Sequence, residues 1–306
     1  MSERHLGRGD TAVITGAASG FGLELARLCA QRGMNVVLAD VQADALARAE
    51  QELVALKAPL LPVKLDVSKA AEVEAMAAAT VQRFGVPHLV FNNAGVGVGG
   101  LIWEHSLADW EWVLGVNVMG VAHGVRVFTP LMLQAAEKDS GYEGHVINTA
   151  SMAGLVNPPN MGAYNVSKHA VVSLSETLYQ DLSLVSDQVH AHVLCPFFVA
   201  TGIHNSSRNR PQALSNPDAK PTRSQMIAQA MTQKAVGSGK VTAAMVAQYV
   251  IDAVRDDRFY IYSHPKALGS VQTRLEDVVQ QRNPSDPLKD VPELGQQLRA
   301  ALRATK

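Results

Sequence analysis

Thr15-Gly16-Ala17-Ala18-Ser19-Gly20-Phe21-Gly22 follows the apolar triplet Ala12-Val13-Ile14 and runs into a helix-like stretch, Phe21 to Arg32. A strand that turns through glycines into a helix lets the backbone approach a phosphate closely, while the helix N-terminus adds N–H groups and partial positive charge. The pattern then repeats. Val36-Val37-Leu38, Pro62-Val63-Lys64-Leu65, Leu89-Val90-Phe91, Val146-Ile147-Asn148, His192-Val193-Leu194 and Phe259-Tyr260-Ile261-Tyr262 read as further strands,. Ala43 to Leu56, Trp110 to Arg126 and Thr242 to Val254 read as helices between them. Such alternation predicts an α/β fold: a single doubly wound, Rossmann-type parallel sheet of about seven strands with helices on both faces.

Composition narrows the function. The chain has 306 residues, of which 47% are hydrophobic and 18% charged, so it can build a sizeable core and is far from a disordered composition,. A net charge of −1 leaves no electrostatic footprint for nucleic acid or an anionic membrane, which points to a small-molecule partner,. Met1 to Asp10 lacks the apolar stretch of a secretory signal, and no run approaches the ~18 apolar residues of a membrane span,. Cys29 and Cys195 form no CxxC pair, so reduced thiols and a cytoplasmic location are expected,. His190 and His192 share one strand face without a third ligand nearby in sequence, and no metal site is expected,.

Residues 1–264 are expected to form one domain, with a substrate loop over about 202–240 that carries Met226, Ile227 and Met231,. Residues 265–306, with Val271 to Val279 and then Leu294, Leu298 and Leu302, read as a helical extension packing on the same domain or on a partner subunit. Asp40 closes the second strand ~20 residues after the glycine turn, where a carboxylate accepts hydrogen bonds from ribose hydroxyls. It repels a 2′-phosphate, and neither Ser19 nor Val41 supplies a compensating positive charge, so NAD is favoured over NADP,. His145 to Ser151 reads as a buried strand ending in small polar residues at a site,. Tyr164 and Lys168, four apart, share a helix face, so the ammonium can favour ionisation of a phenol that otherwise titrates near ~10.

The Gly-x3-Gly-x-Gly turn, Asn92-Asn93-Ala94-Gly95, and the order Ser151-x12-Tyr164-x3-Lys168 together resemble the NAD(P)-dependent core branch of the short-chain dehydrogenase/reductase family, over roughly residues 10–265. The resemblance implies an oxidoreductase that interconverts a secondary alcohol and a ketone by hydride transfer to or from NAD. It gives Tyr164 the role of acid/base, Ser151 that of orienting the substrate oxygen, Lys168 that of lowering the tyrosine pKa and binding the nicotinamide ribose, and Asn117 that of extending the proton path through water. It places the cofactor along Gly16, Ser19, Gly20, Phe21 and Gly22, then Asp40 and Val41, Asp66 and Val67, and Asn93, Ala94 and Gly95. Pro196, Val199 and Thr201 fall at the nicotinamide end. It also implies a homodimer or homotetramer paired through the helices carrying Asn117 and Tyr164.

Three positions depart from the family pattern: Phe197 replaces the usual glycine after Pro196, Ala150 replaces a serine, and Phe21 replaces an aliphatic residue. Trp103, Met152, Leu155, Met161, Phe197 and Phe198 offer apolar lining for a bulky aromatic, alicyclic or steroid-like substrate,. Arg208, Arg210 and Arg223 would hold an anionic one if the loop folds inward. An acyl-carrier-protein ketoreductase and a non-catalytic NAD-binding sensor or scaffold are the alternatives. The presence of Tyr164 and Lys168 weighs against the second.

Overall fold

A computed structural model describes residues 6–215, 220–237, 239–289 and 291–303. Seven strands, β1 (Thr11–Thr15), β2 (Asn35–Asp40), β3 (Leu60–Lys64), β4 (Leu89–Asn92), β5 (Gly144–Thr149), β6 (Val189–Cys195) and β7 (Tyr260–Tyr262), form one sheet in the order β3-β2-β1-β4-β5-β6-β7. Every pairing is parallel. The helices are α1 (Gly20–Gln31), α2 (Ala43–Val54), α3 (Ala70–Phe84), α4 (Leu107–Leu114), α5 (Gly120–Lys138), α6 (Gly162–Ser183), α7 (Arg223–Gly237), α8 (Ala243–Arg255), α9 (Gly269–Val279) and α10 (Pro292–Arg303).

The central strands are buried on both faces, which is why Ala12-Val13-Ile14, Leu89-Val90-Phe91 and Val146-Ile147 read as apolar without alternation,. Alternate residues feed two cores. Ala12 and Ile14 of β1 pack with Leu25 and Cys29 of α1 and Val246, Val250 and Val254 of α8. Val13, Val37, Val90 and Val146 turn the other way, onto Val73 and Met76 of α3, Phe128 and Met132 of α5, and Leu178 and Leu182 of α6. Both cysteines are buried and free, and burial pushes each thiol up to about 12.

The helix expected over Trp110 to Arg126 is longer. Ser106 opens α4 with a capping box, its hydroxyl accepting from Asp109 N while the Asp109 carboxylate accepts from Ser106 N,. A π-helical turn over Gly115–Met119 joins α4 to α5, which continues through Pro130. This joined helix, 107–138, is among the described residues the one long and apolar enough, by length and mean hydropathy, to cross a bilayer. A search for uninterrupted apolar runs misses it because Asn117, His123 and Arg126 break the stretch.

The expected loop over 202–240 is substantially helical, with 3-10 turns at Gly202–Asn209 and Gln212–Leu214 followed by α7. Residues 216–219 and 238 of it lie outside the described residues. In the C-terminal extension, α10 packs against α7 and buries Leu298, whereas α9 leaves Leu275, Val278 and Val279 exposed.

Candidate active site

The glycine turn after β1 is built by close approach. Gly16 and Gly20 take φ of 65° and 55°, in the region that favours glycine,. A Cβ on Gly22 would stand 2.1 Å from the Gly16 carbonyl oxygen, so the turn closes only without a side chain there. Thr15 ties this turn to the end of β4: its hydroxyl accepts from Asn93 N (2.9 Å) and Ala94 N (3.1 Å), and Asn93 Nδ2 donates to Thr15 O (2.9 Å). A Cβ on Gly16 would reach 3.0 Å from Ala94 Cα, so the paired segments touch.

Asp40 faces the turn, its two oxygens accepting from Ala18 N and Gln42 N at 3.0 Å each. Two acceptor oxygens that each keep a spare lone pair, beside a turn whose glycines clear a cradle, fit a dinucleotide. Asp66 Oδ1 accepts from both the N–H and the hydroxyl of Ser68, so one of its oxygens closes a turn, and Val67 is buried beside Gly120. Phe21 is half-buried, Val41 is exposed and Val199 is core. Thr201 lies against Gly20: a Cβ there would be 3.4 Å from the threonine side chain.

At the other end of the cleft, Ser151 follows β5 and caps a 3-10 turn, accepting from Ala153 N (3.1 Å) and donating weakly to Pro196 O (3.4 Å),. Tyr164 and Lys168 stand one turn apart on α6. Lys168 is 3% exposed, donates from Nζ to Thr149 O (2.8 Å) and lies 5.8 Å from the centre of the Tyr164 ring. Burial lowers the ammonium from 10.5 to about 8,. Burial also raises the Tyr164 phenol, with a hydrogen bond to Ser151 pulling the other way. The lysine thus stands beside the ring and donates to the Thr149 carbonyl, while the serine is the side chain that favours the ionised phenol.

Asn117 sits in the π turn, fully buried, with its amide committed: Oδ1 accepts from Val96 N (2.8 Å), and Nδ2 donates to Val96 O (2.9 Å) and Ser167 Oγ (3.0 Å). The side chain therefore bolts the β4 loop to α6. Gly95 and Gly97 flank that loop residue, and a Cβ on either would lie 3.5 Å from Lys168 Nζ or 3.9 Å from the Tyr164 ring. Sequence reading missed Ser167, whose signal was its place inside the Tyr-x3-Lys turn. It also missed Gln42 and Asn209, whose pairing spans too many residues for any periodicity to report.

Of the apolar candidates, Trp103 is 76% exposed, Phe197 is also exposed and packs edge-on to Phe198, and Met152 is core. Arg210 turns away from the cleft to pair with Asp109 (2.5 Å), and Arg208 lies against carbonyls of its own segment. His145 and His192 share a hydrogen bond of 3.0 Å, and His190 pairs with Asp257 (3.2 Å), so the histidines of β5 and β6 serve one another and a neighbouring carboxylate.

Residues 10–212 match the family model for short chain dehydrogenase, and the chain belongs to that family of NAD(P)-binding oxidoreductases. The protein is similar along 94% of its length to a short-chain dehydrogenase/reductase from Burkholderia phymatum solved in complex with NAD, with 53% identity, a TM-score of 0.90 and all of that chain covered. It is 35% identical to the 1-deoxy-11-beta-hydroxypentalenate dehydrogenase of Streptomyces avermitilis over 87% of each chain. It is 33% identical to the CLA biosynthesis dehydrogenase/reductase of Lactiplantibacillus plantarum, over 90% of this chain and 96% of that one.

Proposed function

We propose that the protein interconverts a secondary alcohol and a ketone with NAD, using Tyr164 as acid/base on a bulky hydrophobic substrate. The observation that carries this reading is the convergence of Ser151 and Tyr164 beside the buried Lys168 at the C-terminal edge of the sheet. When bound, the nicotinamide supplies the hydride acceptor in oxidation and the donor in reduction. In oxidation Tyr164 Oη takes the proton of the substrate hydroxyl; in reduction it returns a proton to the carbonyl oxygen. Ser151 orients that oxygen by donating its hydroxyl proton, and its 3.4 Å bond to Pro196 O is weak enough to exchange for this one,. Lys168, fixed on Thr149 O, keeps positive charge beside the ring,. Asn117 holds the loop that walls the pair, which makes it a positioning residue in this reading.

Asp40 followed by uncharged Val41 and Gln42 supports NAD over NADP, as does the likeness to a chain solved with NAD,. The exposed side chains of Ile102, Trp103, Phe197 and Met226 and the withdrawal of Arg210 onto Asp109 support an apolar rather than an anionic substrate,. A relative whose name specifies a hydroxylated compound, the hydroxypentalenate dehydrogenase, is in keeping with an alcohol as substrate. A homo-oligomer paired through α5 and α6 belongs to the same reading, since Val166 and Tyr179 leave apolar surface exposed on α6,. The test is a screen of aryl and alicyclic secondary alcohols against hydroxy acids and polyols, following absorbance of the reduced cofactor with NAD and with NADP. Turnover of the apolar set with NAD is the expected result. Turnover confined to the charged or polyhydroxylated set would overturn the substrate assignment.

A further inference from the structure

The chain that leaves β6 crosses the molecule. In the sheet, β6 is separated from β2 by β5, β4 and β1. Yet Gln42, just beyond β2, donates from Nε2 to Oδ1 of Asn209, shortly after β6, over 2.5 Å. Residues 202–209 are therefore a strap laid across the C-terminal edge of the intervening strands. Midway, the buried hydroxyl of Ser206 accepts from Gly97 N (3.1 Å), in the loop after β4. Ile203 of the strap and the Tyr164 ring flank the same glycine, at 3.7 and 3.9 Å from where its Cβ would be. The strap thus joins the Asp40 end of the cleft to the Tyr164 end.

Its fastenings differ in strength. Beyond the strap, Arg210 pairs with an Asp109 whose side chain is 7% exposed, donates from Nε to Leu214 O (2.6 Å) and lies 5.2 Å over the Trp112 ring. Breaking a buried, charged pair is far costlier than breaking one part-buried amide–amide bond. The strap itself is 3-10 helix with a kink at Asn205 (φ −112°), a geometry with poorer hydrogen bonds than an α-helix,. Opening therefore begins at Asn209, with Arg210 as the foot that stays.

We propose that the Gln42–Asn209 hydrogen bond is the clasp of this strap and that its release governs how fast a dinucleotide leaves the cleft. The inference rests on reading the cleft between Asp40 and Tyr164 as the nucleotide site. A single net amide hydrogen bond corresponds to about a fivefold change in an opening equilibrium.

The experiment is stopped-flow displacement of NADH, followed by its fluorescence in the absence of substrate, with hydrogen exchange of residues 202–209 measured in the NADH-free protein. Asn209→Ala is expected to release NADH about fivefold faster and to exchange faster along the strap. Asn209→Asp keeps an acceptor for Gln42 Nε2 and is expected to behave like the parent. Because the two residues act as one fastening, the Gln42→Ala/Asn209→Ala double variant should be no faster than Asn209→Ala. Unchanged release in Asn209→Ala, or additive effects of the two substitutions, overturns the clasp. Failure of the parent protein to bind NADH at all would instead sink the nucleotide-site reading, and the exchange rates would still decide whether Asn209 fastens the strap.

Discussion

Ser167→Ala tests whether the catalytic turn of α6 is held from outside. Ser167 is fully buried between Tyr164 and Lys168, and its hydroxyl donates to Tyr164 O (2.8 Å) while accepting from Asn117 Nδ2 (3.0 Å). Removing it strands one Asn117 N–H. The amide cannot turn to a new partner, because its other N–H and its oxygen are both engaged by the Val96 backbone. An orphaned buried donor costs about 1–3 kcal/mol, and roughly 2–4 °C of Tm follows each kcal/mol in a domain of about 150–250 residues. The slack falls on the reacting pair, since Val96 lies between the two glycines that face Lys168 and Tyr164. A loss of kcat of about tenfold, equivalent to about 1.4 kcal/mol, is expected, with NADH affinity nearly unchanged. Thermal melting, steady-state kinetics and fluorescence titration on the same preparation measure the three quantities. A Ser167→Ala protein as stable and as fast as the parent would refute the bolt.

Gly22→Ala, whose Cβ would meet the Gly16 carbonyl at 2.1 Å, should weaken NADH binding by about tenfold or more, whereas Gly269→Ala, with nothing within 4 Å, should not. Asp40→Ala removes the acceptor of two backbone N–H groups and should erode discrimination against NADPH; a parent enzyme equally efficient with both cofactors would contradict this. Acid should destabilise the fold before the carboxylates titrate. Burial holds His192 down at about 3 and lowers His145 as well. Both are neutral in either state above about pH 6.5; below that the unfolded chain binds protons the folded one refuses, so stability falls as pH drops. His190 is raised by Asp257 and acts in the opposite direction, its contribution fully present below that pH. Burial lowers His105 and His169 too, and four lowered histidines against one raised predict a Tm that falls between about pH 7 and pH 5; a flat or rising Tm there would count against the buried neutral imidazoles.

The seven strands were legible because each is an apolar run between turn-forming residues, and β1, β2 and β4 lie where Ala12-Ile14, Val36-Leu38 and Leu89-Phe91 announced them. The glycine turn and the Tyr164–Lys168 spacing were legible because both obey short-range geometry. The π turn at Gly115–Met119 was not, since one extra residue in a helical turn leaves the apolar content almost unchanged,. Nor was the role of Asn117: a buried asparagine in an apolar helix signals a partner, but Val96 and Ser167 arrive from distant parts of the chain. Arg210 read as a possible anion clamp on a mobile loop, and only the fold reveals the buried Asp109 that claims it.

The central claim is that Tyr164 moves the proton. Tyr164→Phe leaves the ring, its packing and the buried Lys168 in place and removes the one oxygen the mechanism requires. Turnover of the best secondary alcohol, measured alongside NADH affinity and Tm, should fall by about a hundredfold or more while the other two hold. A well-folded Tyr164→Phe enzyme with the parent's kcat would contradict the account.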